Sequence, residues 1–99
     1  MIQAEKIIPI IETGADGRYR CYDPETGLCC LVGSLLKAAG VPVDDLDSFD
    51  KEDLLQREYG LDPQAVDDLM MVNDHYIIIR DRRQALINQV RMLVAEERA

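Results

Sequence analysis

Three cysteines, one histidine and 19 acidic residues are the places where this 99-residue chain could carry chemistry. Cys29 and Cys30 are adjacent at the expected start of a helix, where the positive end of the helix dipole lowers a thiol pKa. Helical geometry sets Cys29 beside the apolar stripe near Leu36. Cys30 turns to the opposite side, next to Ser34 and Lys37, which makes Cys30 the candidate reactive thiol. A metal site would draw on Cys21, Cys29, Cys30 and His75. Structural zinc sites pair their ligands as C-x2-C or H-x3-H, because one turn then delivers two ligands. No such knuckle occurs here, and adjacent cysteine side chains diverge, so packing is the expected role of the thiols. His75 lies between Asp74 and Tyr76, and a carboxylate neighbour suits a general base. No nucleophile stands at a motif spacing from it, and a surface or interface histidine is expected.

The carboxylates fall into no catalytic or calcium-binding frame. Asp44-Asp45-x-Asp47 lacks the central glycine and terminal glutamate of an EF-hand loop. No phosphate-binding glycine loop, metalloprotease helix or serine elbow occurs. The expectation is a non-enzymatic protein with no catalytic residue, cofactor or metal. What the acids supply is a field. Between Asp44 and Asp74 there are 11 acidic residues against Lys51 and Arg57, so this stretch carries more than the whole formal charge of −8. Asp44, Asp45, Asp47, Asp53, Asp67 and Asp68 are the candidate partner-binding surface. Such a field repels phosphate backbones and anionic lipid, which excludes generic binding to nucleic acid or membrane surfaces. It favours a basic protein partner, and leftover apolar area would favour a homodimer. An inhibitor imitating nucleic-acid charge is the alternative, and a thiol or metal protein using Cys29, Cys30 and His75 is the third reading. Arg80, Arg82 and Arg83 crowd a helix start, where positive charge is unfavourable. Pairing with Asp67 or Asp68 would compensate them; an anion site is the competing use.

One domain, residues 1–99, is expected to position these groups. The aliphatic, charge-rich composition, with Phe49 the only Phe and no Trp, favours helices. Ile7, Ile10 and Ile11 mark a first helix over about Gln3–Thr13, which Pro9 either kinks or delays. Arg18 to Cys21 alternates with period two and leads into Tyr22-Asp23-Pro24-Glu25-Thr26-Gly27, which resembles the designed mini-hairpin chignolin over those six positions and predicts a β-hairpin around residues 18–29. Leu28, Leu31, Val32, Leu35, Leu36 and Ala39 form one stripe, predicting the central helix over Leu28–Ala39 with Gly40 as its stop. Gly33 beside that stripe would admit another backbone. Asp50 and Asp62-Pro63 predict two more helix starts, one helix ending near Tyr59 and the other near Val72. Tyr76-Ile77-Ile78-Ile79 reads as a buried extended link or as part of the last helix. Asp81 is the preferred cap for that helix, whose stripe is Leu86, Ile87, Val90, Leu93 and Val94. The fold class is mainly α, about five helices with one small hairpin. No apolar run approaches the ~18 residues of a membrane span, no leader is visible, and an odd cysteine count fits a reducing cytoplasm.

Two strings carry a resemblance: Gly27-Leu28-Cys29-Cys30-Leu31-x-Gly33-x-Leu35-Leu36-x-Ala38-Ala39-Gly40, and Leu69-x-x-Val72-Asn73-Asp74. Together they resemble small uncharacterised bacterial and phage proteins in which a Cys-rich Gly/Leu helix precedes an Asn-Asp motif and a final amphipathic helix. The resemblance implies no activity. It implies that Asn73-Asp74 and the Cys-Cys helix belong to a shared framework. Read from the residues alone, Asn73-Asp74 is a helix-terminating turn.

Overall fold

A computed structural model describes residues 1–46 and 51–98. The α-helices are α1 (Ala4–Thr13), α2 (Leu31–Ala38), α3 (Lys51–Tyr59), α4 (Pro63–His75) and α5 (Ile79–Arg98), with a 3-10 turn at Val43–Asp45. The expected cap at Asp50 lies outside the described residues. Amphipathic stripes explain each helix. In α1, Ile7 and Ile11 are fully buried. The helix runs through Pro9 from Ala4, with the proline ring on the exposed side. Pro9 has no N–H for the Glu5 carbonyl, and an exposed position lets water satisfy that group. In α4 the Asp62 carboxylate accepts from Ala65 N at 2.8 Å and Pro63 opens the helix, as the sequence indicates.

The central position of α2 is borne out. It packs on α1, α3 and α4, and every residue from Leu31 to Leu36 is buried. Closeness to its neighbours requires Gly33. A Cβ there would sit 1.8 Å from the Cys21 carbonyl oxygen, so the loop before the helix can lie against it only because the side chain is missing. α5 lies across α4 and α1 and contributes Leu86, Val90 and Leu93 to one continuous core. A radius of gyration of 12.4 Å is what a chain of this length reaches when packed around one core.

Two expectations need correction. Residues 18–29 contain no strand among the described residues. The Asp23–Gly27 turn itself forms: Gly27 N donates to Asp23 O at 2.7 Å, Glu25 N to Asp23 Oδ1 at 3.0 Å, and Gly27 has φ +74°. What fails is the ladder. Asp23 N donates to Leu28 O and Cys30 N to Arg20 O across the two arms, but Tyr19 takes φ +68°, which breaks an extended run, and Tyr19 N turns to Asp74 Oδ1 and Cys29 N to Asp16 Oδ1. The second correction is the start of the central helix. Residues 28–30 are not helical, Cys30 is extended at φ −70°, and Leu28 faces solvent.

Candidate interaction surface

Two polar side chains inside the core explain how the irregular loop 14–22 is held. Asn73 is fully buried, and its amide completes three contacts: Oδ1 accepts from Leu31 N at 3.0 Å, while Nδ2 donates to Gly17 O and to Asp74 Oδ1. Leu31 is the first residue of α2, so Asn73 caps that helix from 42 residues away. Asn73-Asp74 is therefore no terminator; α4 continues through both residues to His75.

Arg82 is the second such group, at 3% exposure. Its Nε donates to Tyr76 O, Nη1 to Ala15 O and Nη2 to Ile77 O, each at 2.9 Å. Burial lowers its pKa, with Arg18 adding repulsion. The neighbouring Arg83 donates from Nε to Gly14 O at 2.8 Å. Arg80 pairs with Asp81 at 3.8 Å. None of the three reaches Asp67 or Asp68, so the expected compensation between the arginines and the acidic stretch is absent. Arg82 and Arg83 serve backbone carbonyls instead.

The carbonyls that Arg82 holds belong to the surface feature the sequence reading missed. Tyr76, Ile77, Ile78 and Ile79 lie in solvent rather than in the core, with Ile77 74% and Ile78 60% exposed. Tyr76 is extended at the end of α4, and α5 begins at Ile79, ahead of the expected Asp81 cap. Ile78 O accepts from Arg82 N at 2.9 Å, so three consecutive carbonyls of the link are bonded to one residue. The link is thus held from below by the guanidinium and the backbone N–H of Arg82. Its surroundings are aromatic and basic. His75 meets Tyr76 edge-on at 5.0 Å, Arg18 covers the Tyr19 ring, and Tyr19 N is tied to Asp74.

The acidic surface lies elsewhere. Asp44 and Asp45 sit on the 3-10 turn, Asp53 on α3, and Asp67 and Asp68 on α4. Asp47 lies outside the described residues. Asp44, Asp45, Asp53 and Asp67 are exposed, and Asp68 is half-buried with Gln64 Nε2 donating to it at 3.0 Å. Asp67 and Asp68 turn to different sides of α4. Asp67 lines a cleft with Glu52, and Asp68 lines another with Asp62, Glu96 and Glu97.

The thiol candidates are enclosed. Cys29 and Cys30 are buried, and a hydrogen bond with Cys21 together with burial pushes the Cys30 thiol far above its ordinary range. A reactive thiol needs the opposite shift, so this environment argues against Cys30 in that role. Cys29, Cys30 and His75 do not come together: no group of three metal-ligating side chains occurs among the described residues. His75 is exposed, as expected. A cleft of about 300 Å³ beside α2 is lined by Asp16, Cys29, Ser34 and Lys37. Its polar atoms hold the fold: Asp16 accepts from Cys29 N, and Ser34 Oγ donates to Cys30 O and accepts from Ala15 N.

Comparison with protein-family models, curated proteins and solved structures finds no match to the chain. Function must therefore be argued from the surface.

The signal for the buried polar pair was present in the spacing. Asn73 follows Ala65 and Leu69 at intervals of four, and Arg82 precedes Leu86 and Val90 at the same interval. A polar residue in register with an apolar stripe must be buried with partners or terminate the stripe. For Ile77 and Ile78 no comparable signal existed, because a short apolar run reads as core by composition.

Proposed function

We propose that the chain is a non-enzymatic protein-interaction module, with the Tyr76–Ile79 strip as its principal contact. The observation that carries this reading is the exposure of Ile77 and Ile78 on a backbone fixed by Arg82. Leaving consecutive isoleucines in water forfeits burial energy on the order of 1.5–3 kcal/mol per side chain, and contiguous apolar surface of this kind marks protein contacts. A preformed strip also reduces the ordering entropy that binding costs. Affinity capture from the native cell with wild-type chain and with Ile77→Ser/Ile78→Ser tests it. At least one protein should be retained by the former and lost by the latter. Identical catches would refute the reading.

The acidic surface of Asp44, Asp45, Asp53, Asp67 and Asp68 supports a second contact, with a basic protein. No arginine of the 80–83 cluster neutralises Asp67 or Asp68, so the charge is available to a partner. If that partner handles nucleic acid, the same carboxylates act as a phosphate mimic. Such a complex would dissociate steeply as salt rises from low to moderate concentration.

A further inference from the structure

We infer that the Tyr76–Ile79 strip docks an acidic protein segment carrying apolar side chains. This inference rests on the interaction reading above and adds the chemistry of the partner. Charge complementarity selects it. Residues 14–22 and 74–83, which form the strip and hold it, contain Arg18, Arg20, Arg80, Arg82 and Arg83 against Asp16, Asp74 and Asp81, a local formal charge of +2 in a chain of −8. Apolar contacts therefore stand among residues of net positive charge in an acidic chain. The surface combines Ile77 and Ile78 with Tyr19, Tyr76, Arg18 and Arg80, and tyrosine and arginine are the residue types that dominate binding hot spots.

The geometry also fixes the mode of contact. The carbonyls of Tyr76, Ile77 and Ile78 are already bonded to Arg82. Carbonyls already engaged in this way disfavour a partner that adds as a strand through them. Side chains are then the groups that make the contact: apolar groups against the isoleucines, and carboxylates towards Arg80 and Arg18. The side chain of Arg80 is 90% exposed, and its contact with Asp81 is a long one at 3.8 Å, which leaves most of the guanidinium for a partner.

Selection from a random short-peptide library against the full chain, at physiological salt, tests the inference. Retained peptides should be net acidic and rich in Leu, Ile, Phe or Trp. Their affinity should fall at least about tenfold on Ile77→Ser/Ile78→Ser and severalfold on Arg80→Glu, effects of the size expected for hot-spot residues. Both variants change exposed side chains, and a carboxylate at a helix start is favourable, so circular dichroism should show unchanged helicity. Basic or uncharged peptides that still require Ile77 and Ile78 would overturn the acidic partner while leaving the interaction module standing. Absence of any strip-dependent peptide would remove both. Sedimentation showing a concentration-dependent oligomer that the double variant abolishes would assign the strip to a second copy of the chain and overturn the inference.

Discussion

Asn73 shows what a single buried amide does in this fold. Its three contacts join α4 to the first N–H of α2 and to the loop at Gly17. Asn73→Ala strips a partner from Leu31 N and from Gly17 O inside the core, and each orphaned buried group costs about 1–3 kcal/mol. Urea unfolding should register a loss of about 2–4 kcal/mol, against less than about 0.5 kcal/mol for Gln64→Ala on the solvent side of the same helix. Two buried acids add a pH signature. Burial, with the neighbouring Glu58 charge, raises the Tyr59 phenol, whose hydroxyl donates to Leu35 O at 2.5 Å, and Cys21 and burial raise the Cys30 thiol. Folded pKa values above the unfolded ones mean that the unfolded chain releases protons the folded chain keeps. Their stabilising contribution is complete below the unfolded values, about 8.5 for a thiol and about 10 for a phenol, and is lost above them. Stability should therefore decline from about pH 8.5 upward, Cys30→Ala removing the earlier part of the slope and Tyr59→Phe the later part.

At the scale of the elements, stripes were readable and their ends were not. Leu31, Val32, Leu35 and Leu36 announce a core helix by spacing alone, and they are buried as that spacing requires. The start of α2 was misplaced because its cap is Asn73, 42 residues away in sequence, which no local pattern marks. The expected hairpin failed for a related reason. Its turn is local and forms, and two backbone bonds join the arms, but Tyr19 and Cys29 give their N–H groups to Asp74 and Asp16 and no strand results. Gly33, singled out as a point of close approach, is one. Gly33→Ala would drive a methyl into the Cys21 carbonyl, and backbone cannot step aside as a side-chain tip can. Overpacking of this kind costs about 1–3 kcal/mol where neighbours relax; a thermal melt should show at least that loss, and an unchanged melting temperature would contradict the packing described.

Over the whole molecule the arginines of residues 80–83 do not pair with Asp67 or Asp68. The sequence made the acidic stretch visible by simple counting, yet it also suggested that the arginines would neutralise it. Backbone carbonyls won that competition: Arg82 meets the buried Ala15 O, where an unmet acceptor is expensive, and the part-buried carbonyls of Tyr76 and Ile77. The Tyr76–Ile79 run was legible only as an apolar run. Composition argues for the core, and the opposite outcome depends on where α4 ends and which guanidinium holds the link. The most direct test is equilibrium urea unfolding of Ile77→Ser/Ile78→Ser beside wild type. Side chains already in water have little burial to lose, so the two proteins should agree within about 0.5 kcal/mol. A loss of several kcal/mol, the cost of removing two isoleucines from a packed interior, would show that the strip belongs to the core.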